Sequence, residues 1–527
     1  MNFELLPHLS YWHPALELSP SHPQLLQNLQ RLLRPDQVSA QAPDRLSYGR
    51  DSCSKSILWA RHNQVKYPPE AIVWPESVEE VSRIAAFANR QRLPLIPFGG
   101  GSGVCGGTWA LRGGIAVDLK RMNRLLKVDS GRLQIRAQAG INGEILEREL
   151  KRRHWTLGHF PSSIYAATLG GYLACRSAGQ FSSLYGKIED MVEAMQVVLA
   201  DGRIVELAEV RQRPGVLDLQ ELFLGSEGTL GIVTEATLRV HPQPEHQEFF
   251  GFLFPNLESG LEAIRSIMQA GLTPAVARLY DELDTKLFSS YKKDEAEKSW
   301  LKPLEAAIHP LLHWTKESAL KLALRNTSWL RGAERLLPSH CMLILGFLGE
   351  GAAVPLQAER ARALCLERRG RDLGEKPGRY WLEHRYSVSY KLSPLFDEGY
   401  FADTMEVATT WNNLDHLYRA VREAVGEFAL VLAHFSHAYP EGCSIYFTFV
   451  GYRSTEAESE ALYDKIWNLA LSACHQAGGT ISHHHGVGVL KAAFMEAEWG
   501  ASFRRLQSIK DKLDPNGILN PGKLGFA

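Results

Sequence analysis

Hydrophobic and polar positions change their period twice between residues 71 and 101, AIVWPESVEEVSRIAAFANRQRLPLIPFGGG. A short apolar run opens the segment. Val78, Val81, Ile84, Ala85 and Ala88 then recur at helical spacing. A second apolar run, Pro94–Phe98, ends in glycines. Ser77 followed by Glu80 has the form of a capping box at a helix start. The pattern predicts a compact β-α-β unit. Further strand-like runs lie at 114–119, 133–140, 194–202 and 231–240, separated by glycine-rich turns, with a helix over about Asn142–Lys151.

The prolines of HPQPEHQEFF (241–250) mark an exit from the last of these strands and a boundary near 244. Beyond it, strand and helix alternate. FFGFLFP, AVARLYD, HCMLILGFLG, FADTMEVATTW and GCSIYFTFVG read as strands. LESGLEAIRSIMQAG, AAVPLQAERARALCLERRG, LDHLYRAVREAVGEF and residues 455–477 read as helices. The expected fold class is α+β. It comprises an N-terminal extension over 1–65 with one helix near Pro23–Leu33, and a two-subdomain unit over 66–243. A second α+β domain follows over 244–490, with an antiparallel sheet and helices on one face. A helical tail over 491–527 closes in the turn-rich KDKLDPNGILNPGKLGF.

Composition narrows the class. The 527 residues suit two or three domains, and 45% apolar with 22% charged residues is ordinary globular material. A formal net charge of −1 provides no basic field for nucleic acid. The seven cysteines are scattered and form no C-x-x-C pair, which argues for a reducing compartment and against a disulfide scaffold or zinc ribbon. No secretory leader and no run of 18 apolar residues is visible, so a soluble cytoplasmic protein is expected.

PFGGGSGVCGG at 97–107 satisfies G-x-G-x-x-G through Gly101, Gly103 and Gly106. A dinucleotide fingerprint of that form would open a long amphipathic helix. Here the glycines lead into TWALRGGIAVDL, a turn and a strand. Six glycines among 99–107 still expose many backbone N–H groups, the makings of a phosphate-binding nest. PSSIYAATLGGYLACRSAG (161–179) and FLGSEGTLGIVTEATLRV (223–240) have the same character. Three such loops point to one long phosphorylated ligand.

These three loops, in this order, resemble the FAD-binding domain of the vanillyl-alcohol oxidase / p-cresol methylhydroxylase flavoproteins. GHFPSS, VARLYD, CSIYFTF, SHHHGVG and LDPNGIL are most similar, within that family, to the alkyldihydroxyacetonephosphate synthases. The resemblance implies that 66–243 is the PCMH-type FAD-binding domain, 244–490 the cap over the substrate, and 491–527 a tail returning to the FAD domain. It implies FAD contacts from Pro97, Phe98, Gly99, Gly100, Gly101, Ser102 and Gly103 of the first loop. Ser162, Ser163, Thr168, Cys175, Arg176, Ser177 and Ala178 would contribute from the second. Glu227, Gly228, Thr229, Leu230, Gly231, Ile232 and Val233 would contribute from the third. Tyr446 matches the family's active-site tyrosine, and His483, His484 and His485 its histidine loop. Arg278, Lys391 and His159 fall where substrate-facing residues are expected, Lys391 being the cation nearest to the position of the synthases' arginine. No histidine lies in 97–107, so the FAD is expected to be non-covalent.

The residues allow a matching chemistry. In CSIYFTFVG, Ile445, Phe447 and Phe449 would face the core, with Tyr446 and Thr448 on the opposite side. A free tyrosine has a pKa of about 10, so neighbouring cations would be needed to favour its phenolate. The three histidines could serve, with His434 and His437. The resemblance implies exchange of an acyl for an alkyl group on an acyl dihydroxyacetone phosphate. Tyr446 would be the base, flavin N5 an electrophilic trap, and Arg278 with Lys391 a phosphate clamp. The alternative is an FAD-linked dehydrogenase or oxidase of 2-hydroxy acids such as D-lactate or glycolate. For ISHHHGVG itself a metal site is the other reading, but no H-E-x-x-H pattern or nearby carboxylate accompanies it, and no metal is expected. The partner is then a small-molecule or lipid-phosphate substrate. Residues 301–337 include an amphipathic stretch suited to peripheral membrane contact, or to packing on the second domain or on a partner subunit of a homodimer.

Overall fold

The computed structural model describes residues 23–207, 218–286, 321, 324–325, 340–387 and 393–526. Lys391 and nearly all of the amphipathic stretch at 301–337 lie outside them. Ala71–Val73, Ile115–Asp118 and Leu95–Phe98 pair in parallel, in that order. Helix Val78–Gln91 makes the expected crossover and buries Val81, Ile84, Ala85 and Ala88. Its capping box is half formed. Ser77 Oγ accepts from the Glu80 N–H, whereas the Glu80 carboxylate accepts from the N–H of Glu76, one residue before the cap position.

A five-stranded antiparallel sheet stands beside it, in the order Leu125–Asp129, Gln134–Gln138, Ile232–Arg239, Val192–Val198, Ile204–Leu207. The first and last of these strands were not expected. They are edge strands with few buried side chains, so their apolar alternation is weak.

Residues 23–65, the described part of the segment read as an N-terminal extension, are built into the fold. Leu25, Leu29 and Leu33 pack in the same core as helix Val78–Gln91. Val38–Ser39 adds a fourth strand, antiparallel to Ala71–Val73. Leu58, on helix Ser54–Ala60, enters the core of the C-terminal half. Strand Val38–Ser39 and helix Ser54–Ala60 are too short to show a period. Their burial comes from surfaces supplied far along the chain.

The C-terminal half is organised on a seven-stranded sheet, antiparallel throughout. Its order is Arg371–Asp372, His246–Phe254, Cys341–Gly349, Val276–Tyr280, Leu430–Ala438, Gly442–Gly451, Phe401–Thr410. Helices Leu257–Gln269, Ala353–Glu367, Leu414–Gly426 and Glu456–Gln476 share one large core with this sheet. Strand Leu430–Ala438 was not anticipated, because His434, Ser436 and His437 interrupt its apolar pattern. After helix Ala501–Leu513 the chain returns to the first sheet. Leu95 N–H donates to Ile518 O, and Asn520 N–H to Leu95 O. Among the described residues, no helix is long and apolar enough to cross a membrane.

Candidate functional site

Strand alternation places Ile445, Phe447 and Phe449 in the core, each at most 1% exposed, and leaves Tyr446 and Thr448 on the opposite face. The register then does what one strand cannot. His434 and Glu406 stand directly across from Tyr446 on its two neighbours, and Tyr280 stands across from His434. Residues opposite one another in a ladder share a face, so Tyr280, His434, Tyr446 and Glu406 form one transverse row. The rings of His434 and Tyr446 stack with centroids 4.6 Å apart. Arg278, two residues before Tyr280, reaches back so that Nη2 lies 3.3 Å from His434 Nδ1. Farther along strand Leu430–Ala438 the ladder is irregular between Ser436 and Ala438. There His437 adopts φ +53°, and its ring lies 4.6 Å from that of His484.

The loop ISHHHGVG lies over this row and is strung between two buried carboxylates. Glu406, fully buried, accepts from the backbone N–H groups of His483 and His485, from Ser482 Oγ and from Lys491 Nζ. Glu227, from the third glycine loop, accepts from the N–H groups of Val487 and Gly488. The Val489 N–H donates to Cys105 O in the first glycine loop. Gly488 has φ +54°, and a Cβ there would overlap that same carbonyl, so glycine is required. The loop carries the His485 ring to 5.3 Å from Tyr446, nearly perpendicular, and the His484 ring to 6.5 Å. His483 Nδ1 and His484 Nδ1 lie 3.0 Å apart. Among the described residues, no group of three or more His, Cys, Asp or Glu is arranged to hold a metal ion.

Burial sets the protonation states. It lowers His483 and His485 to about 4, and His484, His434 and His437 well below the ordinary histidine value. Burial alone would raise Glu406, but the Lys491 ammonium overcomes it and holds the carboxyl at about 2. The phenolate expected at Tyr446 is not favoured. Burial raises its pKa against the Thr404 hydroxyl and Arg278, and the imidazoles around it are neutral, so they offer no cation.

The three glycine-rich loops meet. A Cβ on Gly99 would overlap Thr168, one on Gly100 would overlap the carbonyl of Ala166, and one on Gly228 would come within 2.6 Å of Pro97. Thr168 caps helix Leu169–Cys175, and Arg176 ends it at φ +49°. His159, 1% exposed, has Nε2 2.8 Å from Ser177 Oγ, and burial lowers it to about 3. Ser162 accepts from Gln180 Nε2, which also donates to Arg385 O. Among the described residues, the backbone N–H groups of Gly100, Gly101, Ser102 and Gly103 have no partner within the chain. Free N–H groups on a glycine-lined loop fit a pyrophosphate.

Glu406, Lys491 and Arg385 escaped the sequence reading. Arg385 lies over Phe160 and Phe181, at 5.1 and 4.5 Å from their centroids, with Nε and Nη1 buried and unpartnered. The available signal for Glu406 was an acidic residue, with Asp403, inside the largely apolar strand FADTMEVATT. Lys491 and Arg385 carried none.

A family model described as FAD linked oxidases, C-terminal domain, matches residues 243–524, more than half of the chain. The chain belongs to the FAD-linked oxidase family. A second model, a FAD binding domain, matches residues 69–208, and FAD is the cofactor of this family member. This chain is 31% identical to an alkyldihydroxyacetonephosphate synthase of Dictyostelium discoideum, over 97% of this chain and 83% of the relative. It is 27% identical to the glycolate oxidase subunit GlcD of Bacillus subtilis (strain 168), over 88% and 90%. A solved alkyldihydroxyacetonephosphate synthase superposes with a TM-score of 0.76 at 30% identity, over 96% of this chain and 86% of that one. p-Cresol methylhydroxylase, at 16% identity and a TM-score of 0.69 over 95% and 96%, shares the fold.

Gly100→Ala forces the first and second glycine loops apart, so the purified variant is expected to show a reduced flavin-to-protein ratio; a wild-type ratio contradicts the assignment of this loop. Because burial depresses His483 and His485, the folded state resists their protonation. Their contribution to stability is complete above about pH 6.5 and is lost as pH falls toward 4. Replacing both by glutamine should flatten the fall in thermal stability over that window, and an unchanged slope would show that they are not buried neutral.

Proposed function

We propose that this protein makes an alkyl dihydroxyacetone phosphate, the product its synthase relatives are named for, by exchanging an acyl for an alkyl group on an acyl dihydroxyacetone phosphate. The carrying observation is the enclosure of Tyr446 by His434, His485 and Arg278, while Glu406, across the ladder from it, already accepts from four donors. The available proton acceptors are then the phenol and the neutral imidazoles. Tyr446 takes the proton from the ester-bearing carbon while its own passes to a neighbouring neutral imidazole. The fatty acid leaves as carboxylate; as the long-chain alcohol bonds to the carbon, the imidazolium proton returns through Tyr446 to that carbon, and the imidazole so freed takes the proton of the alcohol. Bound FAD would supply electrophilic chemistry to the exchange, without net oxidation. It is held by the loops 97–103, 162–178 and 227–233, non-covalently.

Arg278 and Arg385 support recognition of the anionic head group. Both present a buried N–H donor without a partner in the chain. Guanidinium forks suit phosphate and carboxylate alike. That dual capacity, with the likeness to GlcD, favours oxidation of a 2-hydroxy acid as the second reading. There the arginines hold a carboxylate and an imidazole takes the hydroxyl proton.

Acid precipitation of the pure protein is expected to leave its flavin in the supernatant; colour retained in the pellet would mean a covalent bond. Tyr446→Phe is expected to abolish the alkyl exchange while keeping its FAD. Anaerobic addition of D-lactate or glycolate should leave the wild-type flavin oxidised. Bleaching would overturn the transferase reading in favour of the dehydrogenase.

A further inference from the structure

We propose that Glu406 is the positioning residue of the histidine loop, holding the imidazoles in register with Tyr446. This rests on the reading above, in which those imidazoles accept the protons of the exchange. A carboxylate has about four acceptor sites, and Glu406 meets four donors, three at Oε1 and one at Oε2. Three of the four donors belong to the loop itself: Ser482 Oγ at 2.9 Å, and the backbone N–H groups of His483 and His485. Only the fourth, Lys491 Nζ at 2.8 Å, is a charge partner. Neutralising a buried lysine requires one of those contacts and explains none of the other three. The two backbone donors flank His484, so the carboxylate sets the peptide units on either side of it. Glu406 also stands directly opposite Tyr446 in the sheet. The loop is therefore measured from the same strand pair that carries the phenol, and a displacement at Glu406 moves the imidazoles relative to it.

The simplest variant, Glu406→Ala, would strand a buried ammonium and unfold the site, so it cannot separate positioning from support. The informative variant is Glu406→Met/Lys491→Met. It removes both charges and keeps comparable volume, an exchange that often leaves folding intact. If Glu406 serves only Lys491, this holoenzyme turns over normally. If Glu406 positions the loop, the double variant retains FAD and KM but loses kcat by about a hundredfold, the scale expected when a catalytic group drifts by an ångström. Glu406→Gln keeps the shape and one acceptor oxygen. It is expected to fall between the double variant and the wild type, and it provides the measurement should the double variant fail to fold. Wild-type kcat in either folded holoenzyme overturns the proposal. Histidine-selective NMR of the same holoenzymes should show the loop imidazole resonances shifted with the flavin spectrum unchanged, and unmoved resonances count against it. Alanine variants of His483, His484 and His485, measured in parallel, separate the two readings. Normal turnover in all three sinks their role as proton acceptors. Loss in them alongside normal Glu406 variants sinks only the positioning role.

Discussion

The structure depends on one buried anion. A carboxylate without access to water is costly unless it is paired and hydrogen-bonded, and removing one partner of such a pair costs about 3–5 kcal/mol. Glu406 meets both conditions with Lys491 and three donors from residues 482–485. It thereby joins an edge strand of the seven-stranded sheet, the histidine loop and the segment leading into the C-terminal helices. Glu227 does the same from the other side, taking the N–H groups of Val487 and Gly488 into the flavin-binding half. Seven residues of loop are thus suspended between the two halves, on carboxylates lying 179 positions apart in the chain. The proposed cofactor seat and the proposed substrate face are held by the same backbone.

The electrostatics of the face follow from burial. Five imidazoles crowd around Tyr446 and the loop, and were they charged they would repel one another, Arg278 and Lys491. Burial keeps them neutral instead. Unprotonated imidazoles each keep a nitrogen free to take a proton, although burial makes them weaker bases, and a protonated phenol among them can relay one. The two guanidiniums beside this face keep donors in reserve. Arg385 is held by stacking on Phe160, Phe181 and Tyr386 rather than by an anion of the protein, which leaves Nε and Nη1 for a ligand. The aromatic faces replace part of its solvation without occupying the edge of the fork.

Much of this was legible in the chain. Period-2 alternation in CSIYFTFVG placed Tyr446 away from the core, because a strand's two faces are distinguished by parity alone. The glycine-rich loops were legible because backbone that approaches a phosphate or another loop excludes side chains. Other features carried no local mark. Helix Ser54–Ala60 is seven residues long, and its Leu58 finds its apolar partners in the core of the C-terminal half. Strand Leu430–Ala438 was hidden because its polar positions face the site, so function broke the pattern that would have revealed it. The inversion of His437 onto the site is a local ladder irregularity that no residue type announces.

The sequence by itself determined the α+β architecture, the three cofactor loops, and the pairing of a strand tyrosine with a histidine loop. Each is written in residue periodicity or in the steric need for glycine, both of which act over a few neighbours. Only the tertiary structure decided which side chains share the face with Tyr446, and in which protonation state. The row Tyr280, His434, Tyr446 and Glu406 exists through strand register, which depends on the whole sheet. The neutral imidazoles and the hydrogen-bonded Glu406 exist through desolvation, which depends on everything packed around them. Register and burial are long-range quantities, and a reading confined to neighbouring residues has no access to them.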